Sequence, residues 1–204
     1  MNIAILTFEG FNELDSFIAL GLLNRLKEQG WNVQITCPGE SVTSMNGVTV
    51  AAQQPLEFAN EADVVLLGSG IYTRDIAKDR SLLSRLDLNP HRQLIGAQCS
   101  GTLLLAVLGL LKNVPACTDL TTRPWVVEAG VEVLNQPFFA RDNVATAGGC
   151  LSSQYLATWV MAKLAGVDAA EEAIYYVAPV GEKEETVEHC LSVVSPFIQL
   201  KDIA

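Results

Sequence analysis

Gln93-Leu94-Ile95-Gly96-Ala97-Gln98-Cys99-Ser100-Gly101-Thr102-Leu103-Leu104-Leu105 is a short apolar strand that reaches a single cysteine and turns at once into an apolar helix. In the serine form of such a strand-to-helix elbow, small residues stand two positions to either side of the nucleophile. Strand and helix approach closely there while the nucleophile projects outward. Ala97 and Gly101 fill those positions here. The pattern predicts a nucleophile elbow carrying sulfur, with the thiol beside the first N–H groups of the helix, where a lowered pKa and a thiolate are expected. A buried cysteine packing as a small hydrophobe is the alternative reading.

Outward from the elbow, strand and helix signals alternate. Residues 2–7 open the chain as an apolar strand. Leu14, Phe17, Ile18, Leu22 and Leu26 then recur at helical spacing until Gly30 stops them. Residues 31–37 form the next strand. Pro38-Gly39 and Asn46-Gly47 mark a hairpin with Val48-Thr49-Val50 as one arm. Asp63-Val64-Val65-Leu66-Leu67 is a near-continuous apolar run, as in a central parallel strand covered on both faces. Helices are expected over residues 79–88, 103–111, 122–129 (with Pro124 in its first turn), 151–164, 168–177 and 182–194. Short strands are expected over 116–118, 131–134, 138–140 and 144–147. This order predicts one α/β domain spanning residues 1–204, a doubly wound, mostly parallel sheet of flavodoxin-like type with helices on both faces. Ligands of such sheets sit beyond the carboxyl ends of the strands, where the elbow lies.

Composition excludes several classes. The chain has 204 residues, half of them hydrophobic, enough for one well-buried domain. A net charge of −10, with only 13 Lys and Arg, argues against nucleic acid as a partner. The first basic residue, Arg25, follows Glu9, Glu13 and Asp15, unlike a signal peptide. No apolar run approaches the ~18 residues of a membrane span. A cytoplasmic protein without a membrane contact is expected. Cys37, Cys99, Cys117, Cys150 and Cys190 are an odd number without metal-type spacing, and read as reduced thiols.

Five landmarks in order carry a resemblance: the opening strand with Phe8 and then Leu14-Asp15, the strand and glycine turn from Asp63 to Gly70, the Cys99 elbow, Ala147-Gly148-Gly149, and the stretch from Tyr176 to Pro179. Together they resemble the DJ-1/PfpI superfamily within the class I glutamine amidotransferase-like fold, over residues 2–179. The closest likeness is to its isonitrile hydratase branch, shared with the N-terminal domains of some AraC-type regulators. The resemblance implies a cysteine nucleophile at Cys99, a carboxylate partner at Asp15, an oxyanion site of backbone N–H groups near Gly70 and Ser100, a small-molecule substrate and a homodimer. It implies hydration of R–NC to an N-substituted formamide, with no cofactor and no metal. Three departures stand out. Asp119 occupies the place of a common family histidine, and Tyr155 that of an acidic residue. Ser69-Gly70 replaces the usual glycine pair. The missing histidine weighs against an amidase or peptidase, and a non-enzymatic redox-sensing or ligand-binding protein is the alternative from another class.

The residues themselves leave other readings open. Asp15 also suits a helix first turn capped by Asn12. If it reaches the Cys99 sulfur, its own pKa should rise and the carboxyl could hold a proton to donate. Gly68-Ser69-Gly70 fits either a plain turn or a place where substrate meets main-chain N–H groups. Asp119 could orient a group at the site or cap the following turn. His91, at the entry end of the elbow strand, is ~17 Å from Cys99 and cannot be its base. His189 reads as a surface residue. Cys117, Cys150 and Cys190 read as core thiols, and Trp125 and Tyr155 as packing residues that could line a pocket.

Overall fold

Val64-Val65-Leu66-Leu67 and Ile3-Ala4-Ile5-Leu6 are apolar at consecutive positions, which suits strands covered on both faces and no others. The computed structural model describes residues 1–198. The strands are β1 (Asn2–Leu6), β2 (Asn32–Cys37), β3 (Ser41–Thr43), β4 (Thr49–Ala51), β5 (Gln54–Pro55), β6 (Val64–Leu67), β7 (Leu94–Gln98), β8 (Phe138–Arg141) and β9 (Val144–Ala147). The helices are α1 (Glu13–Leu23), α2 (Phe58–Glu61), α3 (Thr73–Ile76), α4 (Arg80–Leu83), α5 (Gly101–Val107), α6 (Arg123–Glu128), α7 (Ser153–Ala165), α8 (Val167–Val177) and α9 (Lys183–Val194).

Seven strands make one sheet in the order β5-β2-β1-β6-β7-β9-β8, and β3 and β4 form a separate antiparallel pair. Within the large sheet every neighbouring pair is parallel except β8 with β9. Ile3, Ile5, Val64, Leu66 and Leu94 point to one face and pack with Ala19, Leu23, Leu156, Trp159 and Ile174 of α1, α7 and α8. Ala4, Leu6, Val65, Leu67, Ile95 and Ala97 point to the other, under Leu103, Leu104 and Val126 of α5 and α6. The period-2 alternation of strand side chains divides each run between two cores. Gly96 is small for a reason: a Cβ there would lie 2.7 Å from Leu156 Cδ1 and 2.8 Å from Leu66 Cδ2, so its absence lets α7 settle on the sheet.

The chain leaves β1 for β2 on one side and then crosses back to β6 on the other. The connections from β1 and β6 therefore part toward opposite faces, opening a crevice beyond their carboxyl ends. The segments that follow β1, β6, β7 and β9, four adjacent strands, all meet at this end.

Several expected elements differ. The helix expected over 79–88 is only α4, capped by Asp79 Oδ1, which accepts from the Leu82 N–H at 3.0 Å. The helix expected over 103–111 starts at Gly101 and ends at Val107, two residues before Gly109 adopts a φ of +77°. A left-handed residue cannot continue a right-handed helix. The segments 116–118 and 131–134 make only one parallel bridge, Ala116 to Val133, since Pro115 has no N–H to extend a ladder. Leu14, assigned to the apolar stripe of α1, is 48 % exposed.

Candidate active site

Cys99 follows β7 with a φ of +46°, a left-handed conformation rare for a residue with a side chain. The strain is held by what surrounds the turn. The Cys99 N–H donates to Ala147 O at 2.8 Å, and the Cys99 carbonyl accepts from Thr118 Oγ1 at 2.7 Å. Beneath it, Thr102 Oγ1 donates to Cys117 O at 2.9 Å. Gly101 is required by the approach of strand β6, because a Cβ there would sit 2.6 Å from Leu67 O and 2.7 Å from Gly68 O. The elbow read from Ala97 and Gly101 is thus a property of the fold.

Asp15 arrives from the first turn of α1. Asn12 Oδ1 caps that turn through the Leu14 N–H at 3.0 Å, and the Asp15 side chain is wholly buried. Its Oδ2 accepts from the Ser69 hydroxyl at 2.5 Å. Oδ1 is buried with no hydrogen-bond partner among the described residues. A carboxylate oxygen of Asp15, Cys99 Sγ and Cys150 Sγ all lie within 4.8 Å of one another. Burial pushes the Asp15 pKa up to about 6, against the opposing pull of the Ser69 hydroxyl and the Cys99 thiol.

The same burial overturns the expected thiolate. Cys99 is only 3 % exposed, and its pKa is raised, first by desolvation and then by the negative charge of Asp15, with Cys150 and Asp119 beside it acting in the same direction. The dipole of a seven-residue helix does not outweigh these effects. Near neutral pH the pair therefore holds an ionised Asp15 and a neutral Cys99 thiol, and the sulfur becomes nucleophilic only as its proton leaves. Burial acts the same way on other core thiols: it pushes Cys117 up to about 12, against the opposing pull of Thr146, and Cys190 up to about 11.

Cys99, Ser69, Gly70 and Ser100 line a cavity of ≈ 480 Å³, whose wall continues through Asp119 and Trp125. The Arg74 guanidinium lies over the Trp125 ring, 4.1 Å from its centroid, giving the cavity a cationic edge. Of the two expected backbone donors, the Ser100 N–H meets no acceptor among the described residues. The Gly70 N–H is engaged, donating to Ser100 Oγ at 3.1 Å, and Thr73 Oγ1 holds the same hydroxyl at 2.8 Å. Ser69, expected as a substrate contact, also orients the acid.

Asp119 lines the cavity and its Oδ1 accepts from the N–H groups of Thr121 and Thr122, each at 2.9 Å. The capping reading is the one built into hydrogen bonds. His91 is exposed, as is His189, whose Nε2 pairs with the buried Tyr155 hydroxyl at 3.0 Å.

Cys150 is the residue that sequence reading missed. Expected as a core thiol, it is half-buried on the cavity wall, with its Sγ 3.9 Å from Cys99 Sγ, and it accepts from Asn12 Nδ2 at 3.1 Å. A usable signal was its place directly after the glycine pair at the end of β9, but only the strand order shows that β9 neighbours β7. Two sulfurs and a carboxylate are also donor types that zinc accepts, so the absence of metal-type spacing in the sequence does not describe what the fold brings together.

The comparisons with known proteins agree with this architecture. The DJ-1/PfpI family model matches residues 1–163. Schizosaccharomyces pombe DJ-1 superposes with a TM-score of 0.74 at 16 % identity, covering 88 % of this chain and 100 % of that one. A ThiJ/PfpI family protein from Pseudomonas syringae gives 0.75 at 20 % identity, over 95 % of this chain and 87 % of that one. Drosophila melanogaster DJ-1beta gives 0.74 at 20 % identity, over 86 % and 96 %. At these identities the likeness to solved structures speaks for the fold. No curated protein sequence matches the chain significantly.

Proposed function

This chain belongs to the DJ-1/PfpI family, and within it we propose a cysteine-dependent hydratase that adds water to a small isonitrile, R–NC, and releases the N-substituted formamide. The observation that carries this reading is the buried Asp15 carboxylate within 4.8 Å of the elbow sulfur. An isonitrile carbon must gain a nucleophile and a proton at the same atom, and this pair holds both.

Cys99 gives its proton to Asp15 as the sulfur attacks the terminal carbon. Asp15 passes that proton to the same carbon, leaving the thioimidate R–N=CH–S–Cys99. The carboxylate then takes a proton from water as the oxygen adds, and returns it to the nitrogen. Collapse of R–NH–CH(OH)–S–Cys99 forms the formamide carbonyl and restores the thiol. Ser69 orients the acid, and the free Ser100 N–H stabilises the developing oxygen charge. Gly70 joins it once the Ser100 hydroxyl rotates away. Asp119 is a further orienting residue at the rim. No cofactor or metal enters these steps.

A thiol-based sensor without turnover is the second reading, favoured by the second sulfur 3.9 Å from Cys99. An amidase or peptidase would need a base that takes the thiol proton and, as its conjugate acid, delivers it to the leaving amine, whereas Asp119, in the place of the family histidine, accepts two backbone N–H bonds. We place the protein in the cytoplasm as a homodimer. No helix among the described residues is long and apolar enough to cross a membrane, and exposed Leu14, Ile71 and Tyr72 are candidates for a subunit contact.

The test is direct. Formamide formation from an aromatic isonitrile is followed for wild type, Cys99→Ala and Asp15→Asn, with loss of turnover expected in both variants. Because Asp15 must be ionised to accept the thiol proton, kcat/KM should fall as pH drops below about 6. Turnover that survives Cys99→Ala, or an inert wild type, would remove this function.

A further inference from the structure

Of the five cysteines, Cys37, Cys117 and Cys190 are fully buried. Cys99 and Cys150, 51 residues apart in sequence, instead meet on one cavity wall with their sulfurs 3.9 Å apart. Asn12 Nδ2 donates to Cys150 Sγ and holds that sulfur in place beside Cys99. Cys99 directly follows β7 and Cys150 lies three residues beyond β9, adjacent strands whose last paired positions are Gln98 and Ala147. We propose that Cys99 and Cys150 form a reversible thiol–disulfide pair, in which Cys99 reacts with a hydroperoxide and Cys150 resolves the product.

Both half-reactions balance with the groups present and one named oxidant. Asp15 accepts the Cys99 proton as the sulfur attacks the outer oxygen of ROOH. The O–O bond breaks, Cys99 becomes the sulfenic acid Cys–S–OH, and RO⁻ takes the proton to leave as ROH. Cys150 sulfur then attacks Cys99 sulfur, the S–OH bond breaks, and the departing hydroxide leaves as water with the Cys150 proton. Two thiols are oxidised by two electrons and the peroxide is reduced by two.

Closing the gap to a bonded ~2.05 Å requires rotation of two side chains. The more exposed sulfur is the resolving one, so an external dithiol can attack it and reset the pair. While the bond stands the nucleophile is blocked. That consequence rests on the proposed hydratase reading, whereas the pairing does not.

The experiment treats the native chain with one equivalent of hydrogen peroxide and reads intact mass, free thiols and a non-reducing peptide map. The expected result is loss of two hydrogens and of two titratable thiols, a peptide linking Cys99 to Cys150, and full reversal by dithiothreitol. Cys150→Ser should instead carry one added oxygen on Cys99. A wild-type map with oxygenated Cys99 and no linked peptide, or a link through Cys117, overturns the proposal. That map decides the matter even if the variant fails to fold. Isonitrile turnover is not part of this readout: a linked peptide in a chain inert to isonitriles keeps the pairing and removes the hydratase, and the converse result does the reverse.

Discussion

Asp15→Asn should make the protein more stable at neutral pH while destroying its chemistry. The Asp15 pKa stands at about 6 in the fold against an ordinary 3.8. The folded state therefore holds the proton more tightly than the unfolded chain. The stability this group contributes is full below 3.8 and is lost as pH rises through about 6. At roughly 1.4 kcal/mol per unit, keeping the anion buried above that range costs about 3 kcal/mol. About 2 kcal/mol of this develops between about pH 4.5 and about pH 7.5. Asparagine keeps the shape and carries no titrating charge. The variant should thus gain on wild type by about 2 kcal/mol across that interval, or ~6 °C in Tm at ~3 °C per kcal/mol for a chain of this size. Urea unfolding with reductant present, at several pH values, measures it. A stability difference that does not change with pH would show that Asp15 is not a buried, titrating carboxyl, and the proton-sharing account of Cys99 would fail with it.

Other substitutions report on the elbow and its rim. Gly101→Ala should cost about 1–3 kcal/mol, since the new methyl meets backbone oxygens that cannot move aside, and thermal unfolding reads this directly. Cys99→Ala should be less stable than Cys99→Gly by about 1 kcal/mol, because only glycine holds a left-handed φ without penalty; equal midpoints in urea would deny the strain. Asp119→Ala removes an acceptor for two N–H groups, at about 1 kcal/mol, and also a negative charge that opposes Cys99 ionisation. Alkylation of Cys99 by iodoacetamide should therefore set in at lower pH than in wild type.

The amino-acid sequence was enough for the elbow and the layered α/β order. Ala97 and Gly101 around one cysteine, unbroken apolar runs such as Val64 to Leu67, and glycines after strands are local signals, and local sterics decide them. The weak elements were misjudged where a local rule met its limit, as at Gly109 and Pro115. Asp15 was legible as a candidate, but its burial was not, because the residues that hold it, Ser69 and Ser153, come from the turn after β6 and from α7. Whether Cys99 carries a charge was decided against the local signal, since desolvation and neighbouring anions act through space and outweigh one short helix. Cys150 shows the same division. Its spacing from Cys99 carries no message along the chain, and only the placing of β9 beside β7 sets the two sulfurs within reach, because parallel pairing aligns the carboxyl ends of strands that lie far apart in sequence.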